Sequence, residues 1–291
     1  MKLVMYGDAY RERPGVIIED KYVLDLERET LGEPHSLEEI LEFGLLPQIE
    51  EILEGEIAQW ELIPLNTVRL GPPLSGMGKI IAVGLNYRAH AAEMKDALPA
   101  NPLLFCKAAT TIAGPFDPLQ LPPANWSKEV DYEVELGVVI GHECHAVSPE
   151  DAMAYVSGYT IVNDVTARDV QRAESQWFRA KSYDGFCPLG PWLVTPDELD
   201  DPQELELTLK VNGKVRQQSN TSNMIFGIAQ LVSFISQGIT LTPGDVICTG
   251  TPGGIGAGMT PPQYLKAGDK LELTIEGLGK QQYEVVRLIG F

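Results

Sequence analysis

Three acidic side chains alternate along one apolar segment, VDYEVELGVV, and they are the first residues whose spacing suggests chemistry. Asp131, Glu133 and Glu135 occupy every second position, so a β-strand here would place all three carboxylates on one face. A solvated strand face can carry such a pattern, but it usually mixes acids with Lys, Thr or Ser because neighbouring like charges repel. A hard cation would relieve that repulsion, so the segment favours a metal site.

A further carboxylate, Asp164, ends the strand-like segment GYTIVND. Functional side chains are common at strand ends, although Asp164 could equally cap the turn that follows. Together, Glu133, Glu135 and Asp164 would offer only oxygen ligands, which suit Mg²⁺ or Mn²⁺ and lack the soft ligands that zinc prefers. We therefore predict a magnesium site on these three residues, with Mn²⁺ as the alternative ion.

Two other segments could indicate a different kind of site, one for zinc and one for a nucleotide. In GHECHAVS, three soft metal ligands stand within four residues, at His142, Cys144 and His145. A structural zinc site normally needs two separated ligand pairs, and the sequence offers no matching pair, so this is the weaker interpretation. The segment GTPGGIGAG lacks the third spaced glycine of a nucleotide-binding loop, and prolines stand where a helix should begin. It predicts an active-site or structural loop instead.

Candidates for general acid–base chemistry are few, because the chain has only four histidines. His90 and Glu93 in GLNYRAHAAEM are three residues apart, so on a helical turn the carboxylate could orient the imidazole and raise its basicity. A surface ion pair has the same spacing, and the spacing alone leaves both interpretations open. Lys181, close to several aromatic residues, could donate to a developing oxyanion or simply pair with an acid.

Short β-strands are the elements that must position these side chains. From Lys79 onward, strand-like runs alternate with Gly, Pro, Asn and Asp, and two helices are predicted, at residues 148–156 and about 224–235. The strands and helices form no alternating βαβ series, so the sequence predicts a β-rich α+β domain.

The chain before this region predicts a small α/β domain. Three strand-like runs precede a helix that begins after Ser36, with Glu39 in the capping-box position. The stretch GPPLSGMG at 71–78 is rich in Gly and Pro and predicts a linker. We therefore divide the chain into a small N-terminal domain, residues 1–72, and a catalytic domain, residues 73–291.

An excess of acidic residues limits the partners. Lys and Arg number 22 against 41 Asp and Glu, a net charge of −19 that would repel phosphate backbones and anionic membranes. We expect no nucleic acid and no membrane partner, and an anionic substrate would need a metal ion or a few placed cations. The sequence shows no signal peptide, and its four cysteines form no Cys-x-x-Cys pair, so we expect reduced, structural thiols in the cytoplasm.

Seven sequence segments resemble the motifs of a known enzyme family and occur in the same order along the chain. They are KIIAVGLNYRAHAAEM, LLFCKAATTIAGP, VDYEVELGVVIG, NDVTARDVQ, AKSYDGFCPLGPWLVT, VNGKVRQQSNTSNMIF and LTPGDVICTGTPGGIG. From about residue 78 to the C-terminus the chain resembles the fumarylacetoacetate hydrolase family, and within it the domain-containing subgroup with an N-terminal extension. The resemblance implies a mixed β-roll catalytic domain of the α+β class that forms a homodimer.

The resemblance also implies a role for each candidate residue. The implied metal ligands are Glu133, Glu135 and Asp164, the implied catalytic residues His90, Glu93 and Lys181, and the implied substrate-binding residues Arg168, Gln171 and Thr251. His90 and Glu93 would activate water on a lid, at about residues 86–101, that orders over the substrate. The founding hydrolase has a further acidic ligand before its histidine, whereas residues 80–89 contain no Asp or Glu. This departure argues against fumarylacetoacetate itself as the substrate.

On these grounds we expect a Mg²⁺-dependent enzyme that acts on small 2-oxo or 2,4-dioxo acids. Hydrolysis of a carbon–carbon bond in an acylpyruvate-type substrate is the first choice. A 2-oxo acid can chelate Mg²⁺ through its carboxylate and keto oxygens, so the metal would stabilise the enolate formed when an adjacent bond breaks, a step that all the candidate reactions can share. Oxaloacetate tautomerisation or decarboxylation and 2-hydroxy-diene-dioate isomerisation are the alternatives, and the sequence does not separate them. A non-catalytic metal-binding protein on the same fold is disfavoured because both the dyad and the metal ligands are retained.

Overall fold

A computed structural model of the protein describes residues 1–29, 34–55, 61–75, 78–94 and 97–287. The strands of the first half are β1 (Lys2–Tyr6), β2 (Arg13–Ile18), β3 (Tyr22–Asp25), β4 (Ile63–Pro64), β5 (Ile80–Gly84), β6 (Leu103–Lys107), β7 (Ile112–Ala113), β8 (Leu119–Leu121), β9 (Val130–Asp131) and β10 (Val134–Ile140). The strands of the second half are β11 (Val156–Asn163), β12 (Thr166–Ala167), β13 (Cys187–Val194), β14 (Glu206–Val211), β15 (Lys214–Asn220), β16 (Val246–Cys248), β17 (Lys270–Ile275) and β18 (Gly279–Arg287).

The helices are short and connect or cover the strands. They are α1 (Leu26–Glu29), α2 (Leu37–Glu42), α3 (Leu46–Leu53), α4 (Arg88–Met94), α5 (Arg168–Ala173), α6 (Phe178–Lys181) and α7 (Ile228–Ser236). As predicted, Ser36 caps α2, because its hydroxyl accepts from the Glu39 backbone N–H at 3.2 Å. In the described ranges no helix has the length and apolar character needed to cross a membrane.

Most strands belong to one mixed sheet. Within the described ranges it has eleven strands, ordered β4-β3-β2-β1-β13-β11-β10-β16-β5-β6, with β7 beside β13. A second sheet is ordered β15-β14-β17-β18-β8, and β12 pairs with β9. Most neighbours are antiparallel, whereas the β16–β5, β7–β13 and β8–β18 pairs are parallel. This strand-dominated arrangement confirms the predicted α+β class.

The central strands β10 and β11 are buried on both faces. Val138 and Ile161 face a core that the second sheet and α7 share, whereas Val139 and Val162 face a core lined by the N-terminal helices. Burial on both faces explains why these strands are almost continuously apolar instead of alternating. Side chains at the ends of β10 and β11 therefore stand on a closely packed support.

The N-terminal strands continue the large sheet. β1 pairs antiparallel with β13, and α2 contributes Leu37 and Ile40 to the same core that β10 and β11 line from their side. The N-terminal region thus supports the central strands through both hydrogen bonds and apolar packing. The division into domains at 1–72 and 73–291 stays a prediction.

The helix predicted at residues 148–156 is wrong. Only a 3₁₀ turn, Ala152–Tyr155, forms there, and β11 begins at Val156. The Ser148 hydroxyl accepts from the Asp151 backbone N–H at 3.3 Å, so it closes the turn before Ala152 and does not cap the 3₁₀ turn itself. Val156 is β-branched and pairs with Ile140 of β10, so sheet pairing overrides the local helix signal.

The second predicted helix, α7, begins at Ile228 instead of Met224. The backbone N–H groups of Ile225 and Phe226 donate to the backbone and side-chain oxygens of Asn86, at 2.7 and 2.8 Å. These contacts hold the preceding residues in an extended connection. Because Asn86 stands just before α4, they also tie the start of α4 to the start of α7.

Candidate active site

Three buried carboxylates meet where β10 and β11 come together. One carboxylate oxygen from each of Glu133, Glu135 and Asp164 lies within 4.8 Å of the others, and each residue is at most 4% exposed. Backbone pairing sets this geometry: Val134 pairs with Asn163, and the Asp164 N–H donates to the Glu133 carbonyl at 2.9 Å. Among the residues that the structure describes, this is the one group of acidic, His or Cys side chains spaced to hold a metal ion.

The acidic strand is interrupted, which its alternation does not predict. β9 ends at Asp131 and β10 begins at Val134, so Asp131 is separated from the cluster. Its carboxylate accepts from Arg168 Nε at 2.9 Å, and from the Gly256 and Ala257 backbone N–H groups at 2.7 and 3.0 Å. Asp131 therefore fixes Arg168 and the glycine-rich loop.

Three buried cations neutralise two of the three carboxylates. Lys181 Nζ bridges Glu133 Oε2 and Asp164 Oδ2, at 2.6 Å from each. Lys107 Nζ donates to Asp164 Oδ1 at 2.6 Å, and Arg168 Nη2 donates to Glu133 Oε1 at 2.5 Å. Lys107 is absent from the predicted site. The available signal is a single lysine that ends the apolar strand LLFCK, because a fully buried lysine needs an acidic partner.

Glu135 is the member of the cluster that forms no ion pair with a described cation. Burial, together with the charges of Asp164 and Glu133, raises the pKa of Glu135 well above its usual value. Burial acts in the same direction on Glu133, but the charges of Arg168 and Lys181 outweigh it and hold the pKa of Glu133 below its usual range. An all-oxygen cluster with one uncompensated carboxylate fits a divalent cation.

The α4 helix brings His90 to the same pocket, but His90 and Glu93 do not form a hydrogen bond. His90 Nδ1 lies 3.7 Å from Glu93 Oε2, which is too long for one, and it has no other partner among the described residues. The Glu93 carboxylate instead accepts from the Gly254 backbone N–H, at 3.0 and 3.2 Å. A Cβ at Gly258 would lie 2.2 Å from Glu93 Cδ, so this glycine allows the loop to approach α4 closely.

A pocket of about 210 Å³ joins these groups. Of the nine predicted site residues, seven line it: His90, Glu133, Glu135, Arg168, Gln171, Lys181 and Thr251. Phe105, Arg172 and Trp177 form further walls, and none of them is in the predicted set. The Phe105 and Trp177 rings pack edge to face at 5.4 Å, a contact that the sequence does not distinguish from ordinary core packing.

The predicted substrate-binding residues are already engaged to different degrees. Arg168 Nη1 donates to Gln171 Oε1 at 3.0 Å, which leaves the Gln171 amide N–H groups to face other partners. The Thr251 hydroxyl donates to the Val134 carbonyl at 2.9 Å and accepts from Gln217 Nε2 at 2.8 Å. Its proton is therefore used within the protein. The substrate contacts of all three residues stay predictions.

The structure does not support the two alternative sites, a zinc site in GHECHAVS and a nucleotide-binding loop in GTPGGIGAG. Cys144 is buried, whereas His142 and His145 are exposed, so these three side chains do not form a metal site. The GTPGGIGAG segment ends in a 3₁₀ turn, Gly256–Gly258, and in the described chain up to residue 287 no α-helix follows it as a nucleotide-binding loop would require. All four cysteines are free, and three of them are buried, in line with structural thiols.

Comparison with known proteins defines the class to which this fold and site belong. Residues 79–286 match the family described as fumarylacetoacetate (FAA) hydrolase C-terminal. A 2,4-didehydro-3-deoxy-L-rhamnonate hydrolase from a Sphingomonas species is 44% identical over 98% of this chain and 96% of that one. The mitochondrial oxaloacetate tautomerase Fahd2a of Rattus norvegicus is 42% identical over 96% of this chain and 90% of its own.

Solved structures similar to this chain support the same family. A fumarylacetoacetate hydrolase from Exiguobacterium antarcticum superposes with a TM-score of 0.88 at 38% identity, covering 99% of this chain and 100% of that one. A maleylpyruvate hydrolase from a Sphingobium species, in complex with manganese(II) and pyruvate, gives a TM-score of 0.81 at 32% identity, with 99% of both chains covered. The chain belongs to the fumarylacetoacetate hydrolase family. It is a metal-dependent enzyme of the hydrolase, lyase or isomerase type.

Proposed function

We propose that the protein is a Mg²⁺-dependent enzyme that hydrolyses a carbon–carbon bond of a 2,4-dioxo acid of the acylpyruvate type. The observation that carries the proposal is that two members of the buried carboxylate cluster, Glu133 and Glu135, line the same small pocket as His90 and Lys181. A volume of about 210 Å³ suits a short-chain acid. The 44% identical relative supports the choice, since its name denotes hydrolysis of a 2,4-dioxo sugar acid.

Glu133, Glu135 and Asp164 would hold the divalent ion. When bound, Mg²⁺ would supply Lewis acidity to the carboxylate and keto oxygens of a chelating 2-oxo acid. Mg²⁺ is proposed because every donor is a carboxylate oxygen, and Mn²⁺ suits the same donors, as the manganese complex of the related maleylpyruvate hydrolase illustrates.

His90 would be the general base, with Glu93 as the residue that orients it. The imidazole would take a proton from a water molecule, whose oxygen attacks the carbonyl carbon distal to the carboxylate. The bond between that carbon and its neighbour then breaks, and its electron pair stays on the pyruvate fragment as an enolate. His90 Nδ1 is buried and has no partner among the residues that the structure describes, so a small shift of Glu93 from Gly254 toward the ring would complete the dyad.

Lys181 would stabilise the oxyanion that water attack creates. Its ammonium group is buried, and the nearby charges of Asp164 and Glu133 outweigh burial and raise the pKa of Lys181, so it stays protonated. Arg168, Gln171 and Thr251 would contact the substrate's carboxylate or shape its pocket. Because Arg168 is already bound to acidic residues, the Gln171 amide is the group with most freedom to donate.

Oxaloacetate tautomerisation is the second candidate, favoured by the 42% identity to the rat tautomerase over nearly the whole chain. In that reaction His90 would move a proton between carbon and oxygen, and no water attack is needed. Decarboxylation of oxaloacetate and isomerisation of a 2-hydroxy-diene-dioate draw on the same pocket. A homodimer in the cytoplasm is part of the proposal, and sedimentation and cell fractionation would test it.

A panel assay separates the candidates. Acylpyruvates, oxaloacetate and a 2-hydroxy-diene-dioate would be incubated with the protein and Mg²⁺, and pyruvate release and enol absorbance followed together. Hydrolysis predicts pyruvate release from acylpyruvates that stops when EDTA is added. Accelerated keto–enol exchange of oxaloacetate without acylpyruvate cleavage would replace the first candidate with the second. No Mg²⁺-dependent change with any substrate contradicts both.

A further inference from the structure

A second pocket, of about 380 Å³, lies away from the catalytic cluster. We call it the basic pocket and define it by three cations, Lys128, Arg216 and Lys266, around a floor of Tyr132, Val211 and Leu265. It shares no lining residue with the pocket that contains His90 and the acidic cluster. The proposed catalytic function makes no use of it.

The cations of the basic pocket are not neutralised by the protein. In the described part of the chain, Lys128, Arg216 and Lys266 form no ion pair with a carboxylate, although acidic residues outnumber basic ones by 41 to 22. Asp269 is the one carboxylate that lines this pocket within those residues, and both of its oxygens accept hydrogen bonds at 2.8 Å, from Asn212 Nδ2 and from the Lys266 backbone N–H. Positive charge is therefore concentrated here, in a protein whose net charge is −19.

Arg216 is oriented by neutral groups, which leaves its charge available. Its Nη2 donates to Gln263 Oε1 at 2.9 Å, and its Nη1 lies 3.4 Å from the Met259 sulfur. These contacts hold the planar guanidinium without compensating its charge. A preoriented guanidinium binds a carboxylate or phosphate through paired hydrogen bonds and loses less side-chain entropy than a free one.

The floor of the basic pocket is apolar. Tyr132, Val211 and Leu265 are 2%, 6% and 5% exposed, so they present a packed surface below the charged rim. A ligand that fits both features has a short hydrocarbon body for the floor and anionic groups for the rim. The Tyr132 hydroxyl donates to the Gly254 carbonyl at 3.2 Å, and the Gly254 N–H holds Glu93, so the basic pocket adjoins the loop of the active site.

From this arrangement we propose that the basic pocket binds a short-chain dicarboxylate, at a site separate from the metal centre. One carboxylate would pair with Arg216 and the other with Lys266 or Lys128, while the carbon chain lies on the apolar floor. Inorganic phosphate offers the same charge without the hydrocarbon body, so it distinguishes a dicarboxylate site from a general anion site.

Calorimetric titration with succinate tests the proposal, because succinate lacks the 2-oxo group that a metal-bound substrate needs. The titration would be run with EDTA present on the parent, on an Arg216→Gln/Lys266→Gln double variant and on a Lys214→Gln/Lys270→Gln control. The control removes the same charge from exposed lysines that do not line the pocket. We expect saturable binding to the parent, at least about tenfold weaker binding to the first double variant, and a change below about twofold in the control.

Several outcomes would overturn the proposal. They are the absence of saturable succinate binding to the parent, equal weakening in both double variants, and binding of phosphate but not succinate. Sedimentation of both double variants is the companion measurement. Dissociation of a parent dimer in the Arg216→Gln/Lys266→Gln variant alone would identify the basic pocket as a contact with a second copy of the chain, and would also overturn a ligand site.

Discussion

Glu133 and Glu135 of the carboxylate cluster line one pocket with His90, yet the cluster and the His90–Glu93 dyad are held very differently. Glu133 and Asp164 each accept hydrogen bonds from two buried cations. Glu133 directly precedes β10 and Asp164 directly follows β11, and both strands are packed on both faces. His90 stands on the seven-residue α4 helix, its Nδ1 atom has no described partner, and Glu93 lies 3.7 Å away. The cluster is therefore complete before any ligand binds, whereas the dyad is not.

This difference separates two tasks that a catalytic site must perform. The proposed metal site would need little rearrangement to bind an ion, because the central sheet already holds its three carboxylates together. The dyad needs Glu93 or His90 to move by about 1 Å to form a hydrogen bond, and catalytic contacts often tighten in this way only when substrate is bound. Metal binding should thus be insensitive to changes in the dyad, while turnover should depend on both regions.

The largest expected effect comes from Glu135→Gln, which keeps the shape of the side chain and removes its charge. We expect metal affinity to fall by more than about a hundredfold, beyond what a change outside the ligand set produces, and turnover to be lost with it. Calorimetric titration with Mg²⁺ and with Mn²⁺ measures the affinity. Glu93→Gln is the matched control, since it changes a carboxylate beside the same pocket and should leave the affinity unchanged. If both variants bind metal like the parent, the cluster is not the metal site.

The next prediction concerns the dyad, where removing His90 should affect catalysis and not metal binding. His90→Ala should lower the rate of carbon–carbon hydrolysis by roughly a hundredfold to ten-thousandfold, as expected for a general base, while metal affinity stays at the parent value. Decarboxylation of oxaloacetate should survive better, because it needs no water attack. Glu93→Gln should act in the same direction but more weakly, since the ring remains. Unchanged rates on every substrate would remove the dyad from the mechanism.

The same contrast explains how much of the site the sequence could predict. The proposed ligands Glu133, Glu135 and Asp164 follow local rules, alternation along a strand and placement at a strand end. The attachment of Glu93 to Gly254 joins residues 161 positions apart, and no local pattern encodes it. Lys107 was missed for the same reason, because its contact with Asp164 arises only when β6 reaches the end of β11 in the folded sheet.

The fold, like the site, has features that the local sequence predicts and features that depend on residues far apart in the chain. The capping signal at Ser36 and the apolar repeat of α7 act within a few residues, and both gave helices. The helix expected at 148–156 does not form, and Val156 instead pairs with Ile140 of β10, the preceding strand. The strand carrying Asp131 is interrupted before Glu133, and the Asp131 carboxylate binds the glycine-rich loop, a contact that alternation does not encode. Residues 95 and 96 of the expected lid lie outside the described residues, and its mobility stays a prediction.

A third prediction concerns the buried cations that neutralise the cluster, and not the carboxylates themselves. Lys107→Met should destabilise the metal-free protein by about 3 kcal/mol, because it leaves the buried Asp164 carboxylate with one cation in place of two. Lys210→Met is the matched control, since it breaks a Lys–Glu pair in which the lysine is 37% and the glutamate 30% exposed, and it should cost less than about 1 kcal/mol. Denaturant unfolding measures both. Equal losses in the free energy of unfolding would mean that the buried cations beside the cluster stabilise the fold no more than an exposed ion pair does.

The smallest effect concerns the pH dependence of the cluster itself. Burial and the charges of Asp164 and Glu133 raise the pKa of Glu135 above its usual value of 4.5 in the metal-free fold. Its contribution to stability is therefore full below pH 4.5 and is lost as the pH rises through the raised pKa, where the fold must accept the charge. Within that window metal binding should release one proton, so affinity should rise with pH by at most about tenfold per unit and then level off.

Two measurements sharpen this last prediction. Titrating the metal in buffers of different ionisation enthalpy counts the released protons directly. Unfolding the metal-free parent and Glu135→Gln across the same pH range isolates the residue, because every other titrating group is common to both proteins. We expect the parent to lose stability relative to the variant as the pH rises, and Mg²⁺ to restore stability in the parent alone. Parallel pH profiles, with no proton released on metal binding, would mean that Glu135 is already ionised and that some group other than the metal compensates its charge.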